Sequence, residues 1–313
     1  MSQRDTNPYK YSDTNKRYHT YDYFTKHTFG GKCAKIPLDA GFSCPNKDGR
    51  CGHGGCIFCL SGSAAAPSGT IREQYDAAVR VATRKWTPVG YIPYLQANTN
   101  TYAPSDVLRR VYEEASSLDG AVMLDIATRA DCLSDEAVYE IARISEKIPV
   151  TVELGLQSSS DETASRIGRG HDMATFVKGY EKLRESCKSV RLGVHIINGL
   201  PGESYEDMMK TARDVSSLEP DQVKIHLMMV LRNTRLYEIY SAGGYTPMER
   251  DDYVKVVCDQ IEIMPEKTVI ARITGDSPED VLVAPLWCRR KTVVSNMIDK
   301  ELFSRGTWQG IYK

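Results

Sequence analysis

Six apolar segments, rich in β-branched and aromatic residues, recur along the chain and alternate with stretches of helical periodicity. Near-continuous apolar runs of this kind are typical of parallel strands that are buried on both faces. The predicted strands are Lys35–Leu38, Tyr91–Ala97, Ala121–Ala127, Val150–Leu156, Val190–Ile197 and Gln222–Val230. The predicted helices between them cover residues 72–86, 104–118, 134–147, 160–187 and 204–218. Repeated strand–helix units connect through right-handed crossovers, so the pattern predicts an α/β fold with a parallel sheet.

Serine residues stand where four of these helices should begin. A serine at that position can accept a hydrogen bond from a free backbone N–H of the first turn. Asp207 completes a capping-box pattern with Ser204. The four predicted caps are Ser105, Ser134, Ser160 and Ser204.

The elements divide the chain into three expected parts. Residues 1–31 are polar and rich in tyrosine, and we expect them to form an N-terminal extension that packs on the outside of the fold. Residues 32–232 should form the core of six strand–helix units, as an open doubly wound sheet or as a partial barrel. Residues 233–313, with a strand at Thr268–Thr274 and helices near 249–264 and 291–303, should form a C-terminal extension that completes the substrate side.

Composition narrows the class of protein without naming a partner. The 313 residues are 41% hydrophobic, which is enough for one large α/β domain or two smaller ones. Forty Lys and Arg balance 41 Asp and Glu, so the net charge of −1 gives no electrostatic argument for nucleic acid. The start of the chain is polar, and no apolar run approaches the length of a membrane span. We therefore expect a soluble, cytoplasmic protein without membrane contact.

Three cysteines on a glycine-rich stretch after the first strand carry the clearest chemical signal. Cys44, Cys56 and Cys59 are spaced C-x11-C-x2-C, and four of the nine cysteines fall within residues 44–59. In a reducing compartment, clustered cysteines indicate metal ligands or catalytic thiols. A structural zinc site would need a fourth ligand, for which Cys51 or His53 is available. Three thiolates can instead hold a [4Fe–4S] cluster with one open iron, a position that S-adenosylmethionine could fill.

Several motifs then resemble radical S-adenosylmethionine enzymes and, more narrowly, the bacterial YhcC/MnmL-like family, which is related to the catalytic subunit of Elongator. The resemblance covers nearly the whole chain, and the cysteine spacing is that family's own variant. The matching segments are residues 15–20, 41–49, 54–59, 96–104, 128–133, 153–158, 169–172, 199–203 and 282–287. The fold implied by the resemblance is a partial (β/α)6 barrel of the TIM type.

The resemblance also implies residue roles. Cys44, Cys56 and Cys59 would hold the [4Fe–4S] cluster. The residues implied to contact S-adenosylmethionine are Gln96, Asn98, Thr128, Arg129, Glu153, Gln157, Arg169 and His195. We expect Glu153 and His195 at strand ends. Two alternatives stay open from the residues alone, since Arg129 could pair with Asp131 and His195 could be an ordinary core histidine.

The substrate implied by the resemblance is the wobble uridine of tRNA, whose 5-carboxymethylaminomethyl group would become 5-aminomethyl. An electron donor such as flavodoxin or ferredoxin would serve the reaction, and no residue is assigned as a catalytic acid or base. One departure from Elongator-like sequences is Ala127, where those sequences carry glutamate. A radical enzyme that acts on a peptide or a small metabolite is one alternative, and a zinc-stabilised binding protein without turnover is another.

Overall fold

The computed structural model describes residues 7–60, 68–275, 277 and 280–313. Seven parallel strands form one curled sheet in the order β1-β2-β3-β4-β5-β6-β8. Their bounds are β1 Cys33–Leu38, β2 Gly90–Leu95, β3 Leu124–Thr128, β4 Val150–Gln157, β5 Arg191–Asn198, β6 Gln222–Leu227 and β8 Val269–Arg272. Strand order follows chain order, whereas a doubly wound sheet reverses at a switch point. The partial barrel is therefore confirmed.

The structure differs from the predicted strand count at the C-terminal side. The strand predicted at Thr268–Thr274 joins the barrel beside β6 as its seventh strand. The run predicted as one strand over Gln222–Val230 is two strands, because the chain leaves the sheet after Leu227. Its end, β7 (Val230–Leu231), pairs antiparallel with β9 (Leu282–Ala284) in a separate ribbon.

Ten α-helices lie among the described residues, and the apolar face of most packs on the sheet. They are α1 Tyr21–Phe29, α2 Ile71–Thr83, α3 Ser105–Ser116, α4 Asp135–Ser145, α5 Asp161–Arg166, α6 Met173–Ser186, α7 Tyr205–Ser217, α8 Arg235–Ser241, α9 Arg250–Ile263 and α10 Lys291–Arg305. All five residues of β3 and the first seven of β4 are buried, as the apolar runs predict.

Three of the four predicted serine caps are confirmed. Ser134, Ser160 and Ser204 each accept a hydrogen bond from a backbone N–H of the first turn, and Ser204 and Asp207 form the capping box. Ser105 is not a cap. Its hydroxyl donates instead to the Glu140 carboxylate at 2.9 Å, which lies on the neighbouring helix α4.

The helix predicted over residues 160–187 is broken in the middle. Helix α5 ends at Arg166 and α6 begins at Met173, and the intervening segment 167–172 contains Gly168 and Gly170. Both glycines have a positive φ, of 67° and 80°, which is a left-handed conformation that a helix cannot contain. The break carries Arg169, so it places a predicted site residue where a continuous helix would not.

Helix α6 approaches the barrel closely through Gly179. A Cβ atom added at this glycine would overlap the backbone carbonyl of Ala130, in the short turn that follows β3 and Arg129. The absence of a side chain therefore lets α6 lie directly against the strand end that carries Arg129.

We predict that Gly179→Ala destabilises the protein by about 1–3 kcal/mol, because a methyl group added to a packed contact forces backbone shifts. Urea denaturation followed by circular dichroism would measure the free energy of unfolding. Lys178→Ala is the matched control, since it places alanine on the exposed face of the same helix. Equal stability of the two variants would contradict the close packing.

Candidate active site

One cavity of about 790 Å³ opens at the carboxyl ends of the strands and extends into the barrel. All eleven residues predicted for the cluster and the cofactor line this cavity. They are Cys44, Cys56, Cys59, Gln96, Asn98, Thr128, Arg129, Glu153, Gln157, Arg169 and His195. The parallel topology brings them together, because loops that follow neighbouring parallel strands meet at one rim.

The cysteine loop after β1 is folded by its own backbone hydrogen bonds. The N–H of Lys47 donates to the Cys44 carbonyl at 2.7 Å, and that of Gly55 donates to the Asn46 carbonyl at 2.8 Å. Gly54 and Gly55 have φ values of 76° and 79°, which turn the chain sharply just before Cys56. The loop therefore turns all three cysteines towards the cavity, and helix α8 supports it, because the N–H of Leu236 donates to the Ile57 carbonyl at 2.9 Å.

The surroundings of Cys56 suit a soft metal centre. A hydrogen bond with the Cys59 thiol, together with the positive charges of Arg169 and Arg129, lowers the pKa of Cys56 to about 6. A thiolate is the form of cysteine that binds metal. The amide of Asn46 also donates to the Cys56 sulfur at 3.5 Å. Within the described ranges, no three His, Cys, Asp or Glu side chains are grouped around a single-ion position.

The loop after β2 presents amide groups to the cavity. Asn98 has a φ of 61°, and its side-chain oxygen accepts a hydrogen bond from the Lys47 ammonium at 2.8 Å. The buried amide of Asn100 holds this loop in place, because it donates to carbonyls on both sides, including that of Ala127 at 2.9 Å. Gln96 lies at the start of the same loop and lines the cavity.

Arg129 is held mainly by structural contacts. Its guanidinium donates two hydrogen bonds to the Asp131 carboxylate, at 2.9 and 2.7 Å. The salt bridge between Arg129 and Asp131, which the sequence left open, is therefore present. A third bond reaches the backbone carbonyl of Arg169 at 2.9 Å. Arg129 therefore fixes the position of the helix break, and its positive charge still reaches Cys56.

Arg169 retains hydrogen-bonding capacity that the protein does not use. Its Nη2 donates to the backbone carbonyl of Gly155, while its Nε is buried and has no partner. Leaving a buried charged donor unpaired is unfavourable by about 1–3 kcal/mol or more. Gln157 stands close by at a β-bulge with a φ of 76°. This pair fits an anionic ligand, because a guanidinium binds a carboxylate with charge-assisted hydrogen bonds.

Glu153 and His195 do not lie at strand ends as expected. Glu153 is the fourth residue of β4, and its fully buried carboxylate accepts hydrogen bonds from four side chains that converge inside the barrel. The donors are Lys35 at 3.0 Å, Gln222 at 2.7 Å, His195 at 2.9 Å and Lys224. Glu153 therefore forms the floor of the cavity and not its rim.

The charges on this floor compensate one another. Burial raises the pKa of Glu153, but the positive charges of Lys224 and Lys35 outweigh it and hold the pKa well below its ordinary value. Lys35 also pairs with the buried Asp125. Burial, and then the charge of Lys224, lowers the pKa of His195 to about 4, so this imidazole is neutral at pH 7. Both lysines and Asp125 were missed by the sequence analysis, although each interrupts an apolar strand.

The sequence itself places this site in a family. Residues 48–215 match the Radical SAM superfamily, and residues 220–304 match the Radical_SAM C-terminal domain. The chain belongs to the radical SAM superfamily. This membership confirms the predicted family and the predicted cofactors, a [4Fe–4S] cluster and S-adenosylmethionine. The superfamily match begins after Cys44 and includes Cys56 and Cys59.

Two relatives of this radical SAM protein match nearly its whole length. It is 43% identical to the uncharacterized protein YtqA of Bacillus subtilis, over 97% of this chain and 95% of that protein. It is 32% identical to the protein YhcC of Escherichia coli, over 89% of this chain and 90% of that protein. The chain therefore belongs to the YhcC-like branch that its motifs resemble.

More distant similarity reaches Elongator-type proteins. The chain is 26% identical to a tRNA uridine(34) acetyltransferase of Methanocaldococcus jannaschii, over 75% of this chain and 50% of that protein. Its fold is similar to that of the Elp3 structure from Methanocaldococcus infernus, with a TM-score of 0.68, 20% identity and coverage of 88% of this chain and 64% of that one. This radical SAM protein thus spans half of the first of these chains and somewhat under two thirds of the second.

Among the described residues, no helix combines the length and the apolar character needed to cross a membrane.

We predict that Glu153→Gln destabilises the protein by about 3–5 kcal/mol, since removing one partner of a buried ionic network leaves uncompensated charge. Lys35 would then keep its ion pair with Asp125, whereas Lys224 would lose its ion pair with Glu153. The free energy of unfolding in urea measures the effect. Glu113→Gln is the control, because Glu113 pairs with Arg143 and Lys147 at the surface and should change stability by less than about 1 kcal/mol. A similar small effect at Glu153 would contradict the role of the network.

Proposed function

We propose that this radical SAM enzyme acts on the wobble uridine of tRNA and converts its 5-carboxymethylaminomethyl group to 5-aminomethyl. The observation that carries the proposal is the single cavity in which three cysteine thiols meet the eight residues expected to contact the cofactor. The similarity to a tRNA uridine(34) acetyltransferase supports the choice of substrate.

In this proposal the cysteine loop and the strand-end loops share the binding of the cofactors. Cys44, Cys56 and Cys59 hold the [4Fe–4S] cluster, and the unpartnered Nε of Arg169 binds the carboxylate of S-adenosylmethionine. Gln96, Asn98, Thr128 and Gln157 offer hydrogen bonds around the cavity wall. Arg129 adds positive charge, and Glu153 and His195 form the floor. When bound, the two cofactors supply a 5′-deoxyadenosyl radical that removes hydrogen atoms from unreactive carbon.

The proposed change in the substrate balances without an external oxidant. The carboxymethyl CH2 loses a hydrogen atom, and the substrate then loses one electron and the N–H proton to give an imine. Water cleaves the C=N bond into the 5-aminomethyl amine and glyoxylate. The substrate releases one electron, and the cleavage of S-adenosylmethionine consumes one electron. Flavodoxin or ferredoxin would therefore be needed only to reduce the cluster before the first turnover. The protein's task is to hold the CH2 group in the cavity and to exclude competing hydrogen donors.

We predict that Cys44→Ser abolishes both the visible iron–sulfur absorption of anaerobically purified protein and the formation of 5′-deoxyadenosine with dithionite. Cys51→Ser in the same loop is the control and should retain both, because Cys51 is exposed and does not line the cavity. Iron, sulfide and zinc analysis accompanies the assay. Colourless wild-type protein with one zinc per chain would instead identify a zinc-stabilised binding protein.

We also predict that tRNA from a strain lacking this protein accumulates 5-carboxymethylaminomethyluridine at the wobble position and loses the 5-aminomethyl nucleoside. Nucleoside analysis by mass spectrometry measures both. In vitro, that tRNA should raise 5′-deoxyadenosine above background and release glyoxylate. An unchanged wobble profile contradicts the tRNA assignment, and stimulation by peptide or metabolite pools instead of tRNA would identify the other substrate class.

A further inference from the structure

The cavity contains more positive charge than its cofactors are expected to use. Six cationic side chains line it, whereas Glu153 is the one carboxylate among its described lining residues. The six are Lys35, Lys47, Arg129, Arg169, Lys224 and Arg272. Lys35 and Lys224 are neutralised by Glu153 and Asp125, and Arg129 is neutralised by Asp131. Lys47 lies in the cysteine loop and Arg169 lies next to it, where the thiolates and the cofactor carboxylate would balance their charges.

Arg272 is a cation without a counter-ion among the described residues. It is the last residue of β8, at the opposite edge of the sheet from β1 and the cysteine loop. Its side chain is half-buried and lines the cavity, and no residue in the described part of the chain forms a hydrogen bond or an ion pair with its guanidinium. A partly desolvated guanidinium with five free N–H donors is a strong site for a carboxylate.

The neighbours of Arg272 add donors to the same wall. The register of β6 and β8 sets Lys224 opposite Arg272, and His226 follows two residues along β6 on the same face. The His226 ring lies 5.5 Å from that of His195. Burial, then the charges of His195 and Arg272, lowers the pKa of His226 well below its ordinary value. His226 is thus a neutral imidazole that can donate one hydrogen bond, and within the described ranges no carboxylate of the cavity lining pairs with Arg272.

We propose that Arg272 binds a carboxylate carried by the substrate and thereby selects substrates that have one. The inference rests on the proposed function and adds a binding role to it. In a carboxymethylaminomethyl group, the carboxylate carbon is bonded directly to the CH2 carbon that loses hydrogen. A bidentate contact between Arg272 and the carboxylate therefore holds the reacting CH2 carbon, which is one bond away, in a defined position. Holding the reacting carbon in position reduces the entropic barrier to reaction.

Nucleoside binding tests the proposal without requiring turnover. Isothermal titration calorimetry on anaerobic holoprotein with S-adenosylmethionine would compare 5-carboxymethylaminomethyluridine with 5-methylaminomethyluridine, which lacks the carboxylate. Neither nucleoside carries a phosphate. Wild-type protein should bind the first at least about tenfold more tightly, which is typical of one charged hydrogen-bonded contact. Arg272→Gln should abolish this preference, and Arg272→Lys should restore part of it.

Arg110→Gln is the matched control, because it removes an exposed arginine from helix α3 and should leave the preference unchanged. Equal binding of the two nucleosides by wild-type protein, or a preference that survives in Arg272→Gln, overturns the proposal. A loss of affinity in Arg272→Gln for every tRNA, unmodified transcripts included, would assign Arg272 to phosphate binding and also overturns it. Failure of tRNA turnover with the nucleoside preference intact would count against the tRNA substrate and not against the carboxylate site.

Discussion

The ionic network around Glu153 is the interaction on which this barrel depends. The seven-stranded sheet does not close, since no hydrogen bonds join β1 to β8 among the described residues. Lys35 on β1, Glu153 on β4 and Lys224 on β6 meet across the interior, so the network links strands that are not neighbours in the sheet. Buried charges are unfavourable unless they are fully paired. The need to keep these side chains paired therefore limits the curvature of the open sheet, because β1, β4 and β6 must stay close enough for their side chains to meet.

The same network separates the cavity into two regions with different chemistry. On one side, the cysteine loop, the loop after β2 and the helix break supply thiols, amides and Arg169. On the other side, β6 and β8 supply imidazole, ammonium and guanidinium groups, and Glu153, which pairs with Lys224, is the one carboxylate among the described lining residues. Membership in the radical SAM superfamily accounts for the first region. The second region is where this chain's own residues would set its substrate.

Much of the fold follows from local patterns that one sequence displays. Apolar runs predict the strands, serine caps predict three helix starts, and cysteine spacing predicts the metal loop. The errors arise where contacts with residues distant in the sequence decide the role of a side chain. Ser105 bonds to Glu140 on another helix, and this contact replaces the expected cap. The predicted strand Val150–Leu156 has Glu153 in its middle, but the role of this carboxylate could not be predicted, because Lys35 and Lys224, which pair with it, lie on distant strands.

The helix break at 167–172 has a consequence for how such sites can change during evolution. The cysteine loop is joined to it by hydrogen bonds from the Ile57 N–H to the Ile167 carbonyl at 3.0 Å and from the Asn46 amide to the Gly168 carbonyl. The eleven residues between Cys44 and Cys56, the spacer, are therefore packed against the helix break and are not a flexible linker. Lengthening the spacer, or grafting the loop onto another barrel, would succeed only if the break were transferred with it.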